Sequence, residues 1–119
     1  MYKQYSIALG AALAVGIAGM AGVATAKVEG DTIILGSSIS LTGKYATNGL
    51  HTQRGYDYAV DVINKAGGVK VGGKTYKFDV KYYDDESTPA RGAQLAERLI
   101  KQDSVEFMLG PYSSGLTKA

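Results

Sequence analysis

Two largely apolar runs, Thr32 to Ile39, without polar alternation at its start, and the short Val105 to Leu109, are separated by two stretches of helical periodicity, and that order leaves the chain few folds to adopt. A strand that is apolar on successive residues has both faces covered, the condition of a strand inside a parallel sheet. Between the runs, Tyr56, Ala59, Val60 and Ile63 recur at i, i+3, i+4 and i+7, which gathers them on one helical face. Gly92, Leu95, Ala96, Leu99 and Ile100 form the inward face of a second helix in the same way. The first helix is predicted to start at about Leu50, after a loop from Ser40 to Gly49, and to stop at Gly67-Gly68, where a left-handed residue is wanted. Thr88-Pro89 opens the second with a hydroxyl cap and a proline at the first helical position, and Gln102-Asp103-Ser104 ends it.

A tight hairpin is expected at Val69-Lys70-Val71, Gly72-Gly73 and Lys74-Thr75-Tyr76. Its second arm continues with Tyr76, Phe78, Val80 and Tyr82 alternating with Lys77, Asp79 and Lys81, the pattern of a half-exposed strand at a sheet edge. Strand, helix, strand, helix, strand is the order of a parallel sheet with helices on both faces, so the expected fold is a three-layer α/β, Rossmann-like lobe. Only Leu116 to Ala119 follow Gly115, about one turn of a third helix, and the lobe is accordingly expected to be incomplete.

Met1 to Ala26 is predicted to lie outside that fold. It carries Lys3, no acid, an Ala/Gly/Val/Ile-rich run from Ile7 to Met20 and then Ala24-Thr25-Ala26, the pattern of a secretory signal peptide with a small-x-small cleavage site. The run is shorter than the roughly 20 residues a membrane span needs. Removing the leader takes Lys3 from a net charge of only +2, and the remaining basic residues are interleaved with acids. Nothing there forms the basic stripe that neutralising nucleic-acid phosphates requires. The chain has no cysteine, hence no disulfide, no thiol nucleophile and no lipid-bearing residue at the leader's end, so export is expected to give a soluble periplasmic protein. His51, the single histidine, sits on the expected helix surface and argues against a histidine-dependent hydrolase or a zinc site.

Three strand ends are expected to point the same way: Ser40 to Asn48, Asp84 to Ser87, and Gly110 to Ser114. Ligands of open parallel sheets bind at such carboxyl ends. In Gly110-Pro111-Tyr112-Ser113-Ser114-Gly115 the paired serines stand at a helix start beside free N–H groups, where they can hold a carboxylate or simply cap the helix. Asp84 and Asp85 invite comparison with the Mg²⁺ site of a phosphorylation receiver domain. There, however, the pair follows the first strand and an aspartate follows the third, where this chain has Gly-Pro-Tyr; a solvated acidic loop is expected instead. Gly36 to Gly43 lacks the spacing of a phosphate loop, and no Gly-x-Gly-x-x-Gly follows the first strand, which disfavours a Rossmann-type enzyme.

Ile33 to Gly68, with Leu41-Thr42-Gly43, Gly49 and Asp61-Val62-Ile63-Asn64-Lys65-Ala66-Gly67-Gly68, resembles the opening of the type I periplasmic binding proteins of the branched-chain amino acid ABC transporter class. Tyr82 to Pro89, Leu95 to Leu99 and Gly110 to Ser114 follow in that family's order. The resemblance implies a two-lobed, non-enzymatic protein without cofactor or metal that closes around an amino acid or related small carboxylate and presents it to a membrane permease. Lys27 to Ala119 would then be the first part of the first lobe. On the same resemblance Ser114 matches the serine whose hydroxyl and amide hold the ligand carboxylate, and Tyr112 and Ser113 match the pocket residues before it. Asn48 falls where several members place an aromatic wall, a role that nearby Tyr45 can take over. The family's further carboxylate hydroxyl, its ammonium-binding acid and its second lobe would come after Ala119. A sensory or regulatory ligand-binding domain on the same fold is the alternative, and neighbouring permease and ATPase genes, as against a chemoreceptor or kinase, would separate the two.

Overall fold

A computed structural model describes residues 26–119 of the chain. The signal-peptide expectation, Ala26 apart, falls on residues 1–25, outside the described ones. The elements follow the order β1 (Val28–Glu29), β2 (Thr32–Ile39), α1 (Ala46–Lys65), β3 (Val69–Val71), β4 (Lys74–Asp84), α2 (Pro89–Lys101), β5 (Phe107–Leu109) and α3 (Ser114–Thr117).

The second strand is the centre. β4 pairs with it in parallel along its whole length, from Thr32↔Lys77 to Ile39↔Asp84, and β5 pairs in parallel on its other edge from Leu35↔Phe107 to Ser37↔Leu109. β1 adds a short antiparallel rung at Val28↔Ile33, and β3 closes the expected hairpin onto the start of β4. Covered on both sides, β2 buries Ile33, Ile34, Ser37, Ser38 and Ile39, as its unbroken apolar opening predicts.

Two adjacent tyrosines of β4 show where the helices lie. Tyr82 donates its hydroxyl to Asp57 Oδ1 of α1 at 2.8 Å, whereas Tyr83 donates to Asp103 Oδ2 just past α2 at 2.9 Å and lies 4.7 Å beneath the Arg98 guanidinium. Successive strand residues face opposite sides, so α1 and α2 cover opposite faces and the lobe has the three layers its pattern implies. Burial, then the Asp57 carboxylate, pushes the Tyr82 phenol up, so it stays a proton donor at neutral pH. The core centres on Ile34, Leu99 and Val105 with Tyr83 against them, each buried aliphatic contributing about 1.5–3 kcal/mol. At the far end of α1, Asn64 pairs both ways with Phe78, accepting its N–H and donating to its carbonyl, each at 2.8 Å.

Four expectations need correction. The first helix begins at Ala46, a turn earlier than its apolar periodicity, because that turn packs on backbone rather than through side chains. A Cβ on buried Gly49 would stand 1.8 Å from the Ser40 carbonyl oxygen. Thr88 does not cap α2 with its hydroxyl, which instead donates to the Glu86 carbonyl at 3.3 Å. Ile100 stands exposed, off the inward face that Gly92, Leu95 and Leu99 form. The last strand is only Phe107–Leu109; Val105 is buried before it, but Phe107 and Met108 are 53% and 37% exposed because β5 is paired only on its β2 side among the described residues.

Candidate functional site

The strand order sets the site. From β2 the chain crosses through α1 to β4 on one side, then returns through α2 to β5 on the other side of β2. The sheet therefore changes winding direction between β2 and β5. At such a switch point the loops leaving the two strands diverge to opposite faces and open a crevice, the usual ligand position in open α/β sheets. Here α1 goes to one face while α3 packs with α2 on the other. Leu41 to Tyr45 and Gly110 to Ser113 are the segments leaving the two strands that would wall it.

Two contacts draw those walls together. The Tyr45 and Tyr112 rings meet with centroids 6.0 Å apart and planes tilted by 58°, and Lys44 Nζ lies 4.7 Å from the centre of the Tyr45 ring. Tyr56, which the periodicity assigns to the inner face of α1, donates its hydroxyl to the Gly110 carbonyl at 2.9 Å and so ties that helix to the opposite wall.

At the start of α3, Ser113 is the N-cap: its Oγ accepts the Leu116 N–H at 3.2 Å. Of the two readings for the serine pair, capping therefore belongs to Ser113. Ser114 follows as the first helical residue, exposed, and Ser114 and Gly115 carry N–H groups that have no intrahelical acceptor. Asn48 lies exposed in the first turn of α1; its backbone carbonyl accepts the Thr52 hydroxyl at 3.0 Å, while its side chain makes no hydrogen bond among the described residues. Tyr45 and Tyr112 are thus in contact, Ser113 and Ser114 follow Tyr112 directly in the chain, and no hydrogen bond among the described residues joins the Asn48 side chain to them.

The acidic loop is not the solvated surface its composition predicts. Asp85 is fully buried, with Oδ1 accepting the Ser40 hydroxyl at 2.6 Å and the Ser87 N–H at 2.8 Å. Asp84 accepts the N–H groups of Leu41 and Glu86, both at 2.9 Å, and of Thr42 at 3.2 Å, while its other oxygen takes the Thr42 hydroxyl at 2.7 Å. Partial burial alone would raise the Asp84 carboxyl, but the Thr42 hydroxyl and the N–H groups of Glu86, Leu41 and Thr42 outweigh it and hold the group below the usual carboxylate value. Both carboxylates serve the loop after β2, and no group of three or more potential metal ligands occurs among the described residues. The sequence reading puts Asp84 to Ser87 at this end of the sheet, but as a solvated acidic loop; the burial of Asp85 and Ser87, their bonds to the loop after β2 and the Tyr56 bond to Gly110 are what it misses. The signal available was only that hydroxyls and amides cluster at both strand ends.

A separate groove of about 240 Å³ runs between α2, β5 and α3, walled by Ala93, Ala96, Ile100, Met108 and Leu116 with Ser38 and Asp85 also lining it. None of the sequence-predicted site residues lines that groove. It is mostly apolar and adjoins the loop after β5 at Gly110 and Pro111, without reaching Tyr45, Asn48, Tyr112, Ser113 or Ser114.

Residues 32–119 match the family model described as periplasmic binding protein. Among curated relatives, the Leu/Ile/Val-binding protein homolog 3 of Brucella melitensis biotype 1 is 35% identical over 84 residues, 71% of this chain and 22% of the relative. The leucine-, isoleucine-, valine-, threonine-, and alanine-binding protein of Pseudomonas aeruginosa is 31% identical over 99 residues, covering 83% of this chain and 25% of its own length. The chain therefore spans about a quarter of the length of the relatives it matches. The crystal structure of the branched-chain amino acid transporter substrate binding protein LivJ from Streptococcus pneumoniae, in complex with isoleucine, superposes with a TM-score of 0.64 at 36% identity, over 72% of this chain and 24% of that one. A solute binding protein from R. palustris in complex with benzoate superposes at 0.58 with 28% identity, over 72% of this chain and 22% of that one. By these matches the chain belongs to the periplasmic binding protein family, on the type I fold and alongside the branched-chain amino acid binding proteins of ABC transporters.

Proposed function

We propose that the full-length protein carrying this chain is an extracytoplasmic solute-binding protein that captures an amino acid or a related small carboxylate for import by an ABC transporter, and is not an enzyme. What supports this reading is the switch in strand order between β2 and β5, with Tyr45 and Tyr112 in contact on the loops that leave those strands and the N–H groups of Ser114 and Gly115 next in the chain. Unpaired N–H groups at a helix start favour an anion, and aromatic walls suit an apolar body. Isoleucine and benzoate, bound by two of the similar proteins, both combine a carboxylate with an apolar body.

In this reading the Ser114 hydroxyl and amide receive the ligand carboxylate, Ser113 and Tyr112 line the pocket beside it, Tyr45 supplies the facing wall, and Asn48 contributes a polar group at the rim. Residues 27–119 form the first part of one lobe, and an ABC-transporter permease is the partner of the loaded protein. No helix among the described residues is long and apolar enough to cross a membrane. With the leader pattern of Met1 to Ala26, this supports release into the periplasm after cleavage before Lys27. Mass spectrometry of the exported protein should show Lys27 as its first residue; an intact leader on periplasmic material would contradict that assignment.

A thermal-shift screen of the full-length protein tests the ligand class. Free aliphatic amino acids and small aromatic carboxylates should include a compound that raises the melting temperature saturably, since a ligand bound only by the folded state stabilises it. Their amides should not. A shift given equally by acid and amide would contradict a carboxylate-holding site.

A further inference from the structure

Between Asp84 and Thr88 the chain takes a costly path. Glu86 and Ser87 are consecutive non-glycine residues with φ of 54° and 60°, in the left-handed region that side chains disfavour. Such strain persists only where the surroundings enforce it, and it concentrates at functional sites. What enforces it here is a set of contacts to the loop after β2. Asp85 Oδ1 accepts the Ser87 N–H at 2.8 Å, and the Ser87 hydroxyl donates to the Thr42 carbonyl at 2.7 Å while accepting the Tyr45 N–H at 3.0 Å. Asp84 takes the Leu41 and Thr42 N–H groups directly. Gly43 closes the fit: at φ 80°, a Cβ there would stand 2.7 Å from Ser87 Oγ and 2.8 Å from the Glu86 carbonyl oxygen.

We infer that Asp84 and Ser87 are positioning residues, forming a strained clasp that fixes the Leu41–Tyr45 loop so that the Tyr45 ring stands against Tyr112 before ligand arrives. The inference rests on the ligand reading above for its consequence, but not for the clasp itself. Neither residue faces the crevice with a free group, since Asp84 spends both oxygens and Ser87 both its donor and acceptor capacity on the loop. Their contribution is pre-organisation, which strengthens binding by removing the cost of ordering the wall on association.

The test uses Asp84→Ala, Ser87→Ala, Asp84→Asn and Ser114→Ala in the full-length protein, with amide hydrogen exchange and calorimetric titration of L-isoleucine. Asp84→Ala and Ser87→Ala should speed exchange at Leu41, Thr42 and Tyr45 about tenfold or more, while Ile34, Leu99 and Val105 exchange as in the wild type. Isoleucine affinity should fall about tenfold, and Asp84→Asn, which keeps an acceptor for the N–H groups, should restore both readings to near wild-type values. A variant that merely loosens the fold would instead raise exchange in the core as well. Unchanged exchange at the three loop amides, or raised exchange with unchanged affinity while Ser114→Ala weakens binding, would overturn the clasp as a positioning device. Should isoleucine binding be absent in the wild type, the titrations use benzoate instead; should neither carboxylate bind, or binding be indifferent to Ser114→Ala, the ligand reading fails and the exchange arm still decides whether the clasp holds the loop.

Discussion

Ser40 Oγ donates a 2.6 Å hydrogen bond to Asp85 Oδ1, two side chains 45 positions apart in sequence and both fully buried. The contact locks the end of β2 to the end of β4 beneath the crevice wall. Replacing Asp85 by alanine leaves the Ser40 hydroxyl and the Ser87 N–H without their acceptor. An orphaned buried polar group costs about 1–3 kcal/mol, so Asp85→Ala should lower the urea midpoint of the full-length protein by at least that equivalent. Asp85→Asn retains one acceptor oxygen and should lose less. Equal midpoints for wild type and Asp85→Ala would show that the pair does not brace the strand ends.

Two glycines of α1 should respond in opposite directions. Gly49→Ala places a Cβ 1.8 Å from the Ser40 carbonyl oxygen, a backbone atom that cannot step aside, and overpacking of this kind costs about 1–3 kcal/mol or more. Gly55 has open space around its would-be Cβ, so Gly55→Ala should stabilise the helix by about 0.5–1 kcal/mol. Denaturant melts of the two variants check the sign of each, and a stabilised Gly49→Ala protein would refute the close approach of α1 to β2.

Much of this architecture was legible in advance because it depends on short-range pattern. The unbroken apolar opening of β2, the Gly67-Gly68 stop and the Gly72-Gly73 hairpin turn are each written in a few consecutive residues. The start of α1 was not, since its first turn meets β2 through Gly49 and the Ser40 backbone and carries no apolar periodicity. Asp84 and Asp85 were misread for a related reason: composition marks them as surface acids, and only the pairing of β4 beside β2 brings the Ser40 to Thr42 hydroxyls and amides to them. Within the site, the order of strands decides where the crevice opens. Local sequence predicts which segments are strands but not that β5 returns to the far side of β2.

Acid should loosen the loop that Asp84 holds. Although partial burial works against the charge, the Thr42 hydroxyl and the N–H groups of Glu86, Leu41 and Thr42 hold its folded-state pKa below the ordinary value. A depressed carboxylate contributes stability that is present above its unfolded pKa, near 4, and is lost as pH falls through the lower folded value. Asp103 adds in the same sense: its chief cause is the hydrogen bond from Lys81, against which partial burial acts, with the Tyr83 hydroxyl and the Lys81 and Arg98 charges contributing further. Stability measured from pH 7 downward should therefore hold until about pH 4 and decline below it. Asp84→Asn should reduce the decline. A wild-type curve as flat as that of an Asp84→Asn, Asp103→Asn double variant would contradict the assignment.

The central claim, a carboxylate received by the loop after β5, is tested most directly by calorimetric titration of the full-length protein and its Ser114→Ala variant with the compound that gives the largest thermal shift. A charge-assisted hydrogen bond to a carboxylate contributes about 1.5–3 kcal/mol, so the substitution should weaken binding about tenfold or more while leaving the melting curve of the unliganded protein unchanged. Equal affinity in the two proteins, both shown to be folded, would remove Ser114 from the site and contradict the account.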